Sequence, residues 1–108
     1  MTTPDLERAI KAAAQAANAW WDTLSVTQQT RFENQQRHAL LAALAALDPP
    51  SDAEMLEVTP LREDTAKALH KFRSTRDWFD LEPEERDYVR REANTTVRAF
   101  IATIRGEK

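Results

Sequence analysis

The chain has 108 residues, enough for one domain with one core, and carries 15 basic against 18 acidic side chains for a net charge of −3. That balance argues against a general nucleic-acid binder, which needs a basic face to neutralise phosphates. With no cysteine and a single glycine, disulfides and thiolate sites are excluded, and Gly-rich phosphate loops and all-β hairpins lack the residues they need.

Hydrophobic residues make up 42% of the chain, but many are alanine, so the core must come from close approach of Ala-lined helices around a few large side chains. No charged-then-apolar leader and no run of 18 apolar residues is seen, which leaves a cytoplasmic protein without a membrane span as the expectation. Charge is unevenly spread. Residues 1–60 hold four Lys/Arg against eight Asp/Glu, and residues 61–108 hold eleven against ten.

Thr3-Pro4 reads as an N-cap followed by the first residue of a helix, with Asp5 and Glu7 in the first turn. Leu6, Ile10, Ala13, Ala17, Trp20 or Trp21, and Leu24 step by three and four, which predicts a helix over residues 4–23. Ser25-Val26-Thr27-Gln28 has the form of a capping box and opens a second helix, predicted over 26–47. Its apolar positions are Phe32, Ala39, Leu40, Ala43, Leu44 and Leu47, with a polar interval from Glu33 to His38 expected to face water. Asp48 precedes Pro49-Pro50 and ends it.

Residues 48–59 form an acidic linker containing Asp48, Asp52, Glu54 and Glu57, with a short helix expected at 52–57. Thr59-Pro60 repeats the first start and predicts a helix over 60–74, with Leu61, Thr65, Ala68, Leu69 and Phe72 on one side. Trp78 and Leu81 lie one turn apart and can enter the same core at a corner. Pro83 with Glu84 and Glu85 then marks a helix start by fixed φ and by charge near the helix dipole. Val89, Ala93, Thr96, Val97, Phe100, Ile101 and Ile104 make a stripe over 83–104, and Gly106 supplies the stop.

The two corners repeat weakly. Trp21-x-x-Leu24, a cap and Arg31-Phe32 correspond to Trp78-x-x-Leu81, a cap and Arg86 with Tyr88. Helix duplication and independent use of an aromatic plug both account for this. The pattern Asp77-Trp78-x-x-Leu81-x-Pro83-Glu84-Glu85-Arg86-x-Tyr88-x-x-x-x-Ala93, with the aliphatic run to Ile104, resembles a segment found in small helical proteins encoded by bacteriophages and prophages. That resemblance, over residues 77–104, implies a helical fold and a phage or mobile-element origin, and it transfers no catalytic residue. The same rhythm is similar to the end of an HMG box, whose basic surface and bending wedge have no counterpart here.

Catalytic and metal chemistry lack signatures. His38 and His70 have no second ligand at metal-binding spacing, and Ser25, Ser51 and Ser74 stand outside any nucleophile motif. Glu82, Glu84 and Glu85 are helix-start carboxylates. No enzyme activity, cofactor or metal is therefore expected. Lys67, His70, Lys71, Arg73 and Arg76 form the most basic interval and are the candidate nucleic-acid contacts. The one aromatic in the interval, Phe72, is assigned to the apolar side with Leu69, which leaves none on the basic side for base stacking, and a solvated helix face is the plainer account. The candidate protein interface is Trp20, Trp21, Trp78 and Phe79, because adjacent helical residues project about 100° apart and a narrow seam cannot bury both members of a pair.

These observations point to an all-α antiparallel bundle of four main helices plus one short linker helix, arranged as two helical hairpins. The expected function is non-enzymatic: binding and modulating a host protein as a phage or mobile-element accessory factor, an anti-CRISPR type inhibitor being one concrete form. The alternative is a small nucleic-acid-binding regulator using residues 67–76. Homodimerisation is compatible with both.

Overall fold

The computed structural model describes residues 3–46 and 58–106, and these form four α-helices and no strand: α1 (Thr3–Ala17), α2 (Val26–Ala45), α3 (Val58–Arg73) and α4 (Pro83–Arg105). Two 3-10 turns, Trp21–Thr23 and Trp78–Asp80, make the corners between α1 and α2 and between α3 and α4. The short helix expected at 52–57, the acidic linker up to residue 57 and the end of the second helix at Leu47 lie outside the described residues.

Local signals explain most of these boundaries. The Ser25 hydroxyl accepts the Gln28 N–H at 3.2 Å while the Gln28 side chain accepts the Ser25 N–H at 2.9 Å, the reciprocal pair that a capping box provides. Pro83 is at the first position of α4, and Gly106 terminates that helix in the left-handed region at φ 72°. α3 begins at Val58, before the expected cap Thr59. Pro60 is tolerated there because the first N–H groups of a helix have no intrahelical acceptor to lose.

One expectation needs correction: α1 ends at Ala17 and does not continue to residue 23. The Asn18 side chain accepts the Trp20 N–H at 2.9 Å, and this short-range bond competes with the next helical turn. Trp20 and Trp21 consequently sit on the corner and not on a helix face.

Neighbouring helices run antiparallel in the order α1, α2, α3, α4, with α4 closing on α1. α1 packs chiefly on α4, and its contact with α2 is much the smallest of the four. A first core cluster joins Ile10 and Ala13 of α1, Leu40 and Ala43 of α2, Leu61 of α3, and Val97, Phe100 and Ile101 of α4. A second, nearer the corners, joins Ala39, Ala66, Leu69, Ala93, Trp78 and Leu81 without α1. Alanines at Ala9, Ala13, Ala14, Ala39, Ala43, Ala66 and Ala93 are buried. They let the helices approach closely, so that a few large side chains fill the remaining space.

The polar interval Glu33 to His38 also departs from expectation, because Gln36 is fully buried. Its carbonyl oxygen accepts from the Thr96 hydroxyl at 2.8 Å, and its amide donates to Glu92 at 3.1 Å. Arg73 grips the same Glu92 carboxylate through both terminal nitrogens at 3.1 and 2.7 Å and donates to Gln35 at 3.1 Å. One polar chain thus ties α2, α3 and α4 in register. Gln36→Leu should destabilise the fold by about 1–3 kcal/mol in urea denaturation, since it strands the buried Thr96 hydroxyl. Combining it with Thr96→Val should cost less than the two changes summed; strict additivity would show that the bond is not formed.

Candidate functional site at the corner end of the bundle

The antiparallel order brings both corners to one end of the molecule, together with the end of α3 and the starts of α2 and α4. The two corners leave by the same backbone but are entered differently, Trp20 at φ −102°, ψ 14° and Asp77 at φ −68°, ψ 140°. Leu24 and Leu81 have φ −78°, ψ 147° and φ −76°, ψ 148°, and each donates its N–H to the carbonyl of the tryptophan three residues earlier, at 3.1 and 3.3 Å. Ser25 and Glu82 then enter their helices at φ −65° and −66°. The repeated Trp-x-x-Leu is therefore one exit geometry used twice.

Burial separates the four candidate interface residues. Trp78 is 7% exposed, Trp21 is half-buried, and Trp20 and Phe79 stand 71% and 73% exposed. Trp78 plugs the second corner: the Arg90 guanidinium lies 5.5 Å from the centre of its ring, and the His70 ring meets it edge-on at 5.9 Å. The Asp77 side chain accepts the Phe79 N–H at 2.9 Å, which holds the turn and leaves the Phe79 ring outside. The first corner is fastened by the Gln29 amide, which donates to the Trp21 carbonyl at 2.8 Å.

Further apolar side chains crowd this end. Tyr88, in the second turn of α4, is 74% exposed and borders a hollow of about 430 Å³ shared with His70, Arg76, Leu81 and Val89. Val26 opens α2 in the open, and Phe72, expected in the core, is half exposed against the His38 ring at 5.2 Å. Of the six large hydrophobic side chains exposed among the described residues, only Leu41 belongs to the other half of the bundle. Sequence reasoning missed Tyr88 as a site residue, although its position just outside the Val89 stripe was the signal.

The basic interval has the cations in place, but several are already engaged. Arg73 is committed to Glu92, and Arg76 to Glu85 at 3.2 Å and to the Asp80 carbonyl at 3.3 Å. Lys67 lies over the Phe79 ring at 5.6 Å, and His70 donates from Nε2 to the Arg76 carbonyl at 2.7 Å. Lys71 is exposed and is the patch cation with no carboxylate or ring partner among the described residues. No group of three or more His, Asp or Glu side chains among the described residues is placed to hold a metal ion, and no described helix is long and apolar enough to cross a membrane.

Two ion pairs support the scaffold beneath this end. Arg90 donates to both Glu63 oxygens at 2.9 Å and to Asp87 at 3.1 Å, and Arg37 grips Glu7 across α2 and α1. Hydrogen bonding to Arg37 holds the Glu7 carboxyl below the ordinary value of 4.5, and hydrogen bonding to Arg90 does the same for Glu63. Both folded pKa values are depressed, so the stabilisation is complete above the unfolded pKa and is lost as pH falls through the folded values. Thermal melts should fall progressively below about pH 4.5, and Glu63→Gln should flatten that fall. An unchanged slope in the variant would show that the pair contributes nothing.

Tryptophan emission reads the corner geometry directly. Iodide should quench Trp20 strongly and Trp78 hardly at all, so Trp20→Phe should remove most of the quenchable fraction; quenching that survives the substitution undiminished contradicts the exposed position of Trp20. No protein-family model matches the chain, and no curated protein or solved structure is detectably similar to it.

Proposed function

We infer that the chain is a non-enzymatic protein-interaction module, which binds a host protein through the corner end of the bundle. The observation that carries this is the gathering of Trp20, Val26, Phe72, Phe79 and Tyr88 at that end, with the rings of Trp20, Phe79 and Tyr88 more than two thirds exposed. Single exposed hydrophobics are ordinary on a protein surface, whereas several exposed aromatic side chains at one end of a bundle have the residue types of interface hot spots. Rigid mounting adds to this, because Phe79 and Trp20 project from hydrogen-bonded turns and lose little freedom on binding.

The resemblance at residues 77–104 supplies the setting: a phage or mobile-element accessory factor acting in the cytoplasm on a host protein, with an anti-CRISPR type inhibitor as one concrete form. Use of residues 67–76 on nucleic acid is the weaker alternative, since Arg73 and Arg76 would have to give up their carboxylates to neutralise phosphates.

Capture from a bacterial lysate tests the proposal. The unaltered chain should retain a specific protein that Phe79→Ser combined with Tyr88→Ser releases by about tenfold, equivalent to roughly 1.4 kcal/mol, while Leu41→Ser at the other half leaves capture intact. Recovery of no specific protein, or equal retention by the double variant, counts against it. A concentration-dependent dimer abolished by the same pair would assign the end to a second copy instead.

A further inference from the structure

Arginines on this molecule divide into those that pair with a carboxylate and those that do not. Arg8, Arg37, Arg73, Arg76 and Arg90 each meet a carboxylate. Arg31, Arg62, Arg86, Arg91 and Arg98 form no such ion pair among the described residues, and three of these, Arg62 beside Glu63, Arg91 and Arg98, line one open groove of about 960 Å³ between α3 and α4. Its lining comes from these two helices and includes none of the exposed aromatic rings.

The groove is polarised. Toward the start of α4, Arg90 is fully engaged by Glu63 and Asp87, so that stretch offers no free cation. Farther along, the Arg62 Nε is buried with no acceptor, Arg91 makes no hydrogen bond through its side chain among the described residues, and Arg98 has only a 3.4 Å contact from Nε to Asn94. Buried donors in folded proteins nearly always find an acceptor, and unused guanidinium forks are matched by planar oxyanions. Arg91 and Arg98 are two helical turns apart on one face, about 10.5 Å of rise. Three residues of extended peptide span about the same distance, so carboxylates at such a spacing reach both.

We propose that this groove binds an acidic segment of a partner protein, whose carboxylates take Arg62, Arg91 and Arg98. This rests on reading the chain as a protein-binding module and adds a second face to it. A nucleic acid fits the groove less well: no aromatic ring lines it for stacking on bases, two carboxylates stand at one end, and the chain's net charge of −3 opposes the long-range attraction on which polyanion binding depends. A short acidic segment needs only the local pairs.

The test is fluorescence anisotropy with a labelled decaglutamate peptide at low salt, using the full chain. Binding is expected, with affinity lowered by about tenfold in Arg91→Glu combined with Arg98→Glu, and unaffected by Lys71→Glu on the other face of α3. Circular dichroism checks the fold of each variant; should charge reversal unfold the chain, Arg91→Gln with Arg98→Gln is expected to weaken binding severalfold. Absence of peptide binding, an equal loss on Lys71→Glu, or tighter binding of an oligothymidylate of equal length that depends on the same two arginines would each overturn the assignment. The peptide reports on the groove alone, so its failure leaves lysate capture through Phe79 and Tyr88 unaffected, and the reverse holds.

Discussion

Gln36 occupies a position where an amide must be satisfied by protein or not at all. Fully buried in an alanine-lined interior, it can be accommodated only in the helix register that brings the Thr96 hydroxyl to its oxygen and Glu92 to its nitrogen. Small apolar side chains are permissive about register, because sliding one Ala-rich face over another by a turn buries nearly the same area. A buried polar pair is not permissive: an unmet donor or acceptor costs about 1–3 kcal/mol. The bond also reaches outward, since Glu92 is held by Arg73, and Arg73 by Gln35. Position in the interior and order at the surface are thereby linked.

That register determines what the corner end presents. With α3 and α4 locked, Trp78 falls into the second apolar cluster, flanked by Arg90 and His70, and its neighbour Phe79 has no direction left but outward. The same Trp-x-x-Leu backbone at the first corner gives a looser result. Trp21 is only half-buried, as α1 leans on α4 and makes little contact with α2. Two corners that share an exit but not an entry thus differ in burial, over helices that are also packed differently, and both leave a bulky ring in solvent.

Charge on the outer faces follows a related division. Where α1 meets α2, and along the Glu63 side of α3 and α4, arginine and carboxylate neutralise one another across helices. Exposed pairs of this kind contribute at most about 1 kcal/mol each, so their main effect is on what the surface still offers. After pairing, it offers an aromatic end and a groove holding three arginines without carboxylates.

Much of this architecture was written in short stretches of the chain. The capping box at Ser25, the Pro83 start, the Gly106 stop and the period of the α4 stripe are local features whose physics involves residues within one or two turns, and they specify an all-α bundle of four main helices without help from elsewhere. Legibility failed where a partner was distant or where two local preferences competed. Gln36 looked solvent-facing because Thr96 lies 60 positions away; the basic interval looked free because the carboxylates that engage Arg73 and Arg76, Glu92 and Glu85, are on α4. α1 looked longer because apolar spacing through Trp20 concealed the Asn18 side chain that ends it. Composition and periodicity determined that helices form and roughly where. Only the tertiary structure decided which aromatic rings and which arginines remain available, because availability is what is left after every other side chain has found its partner.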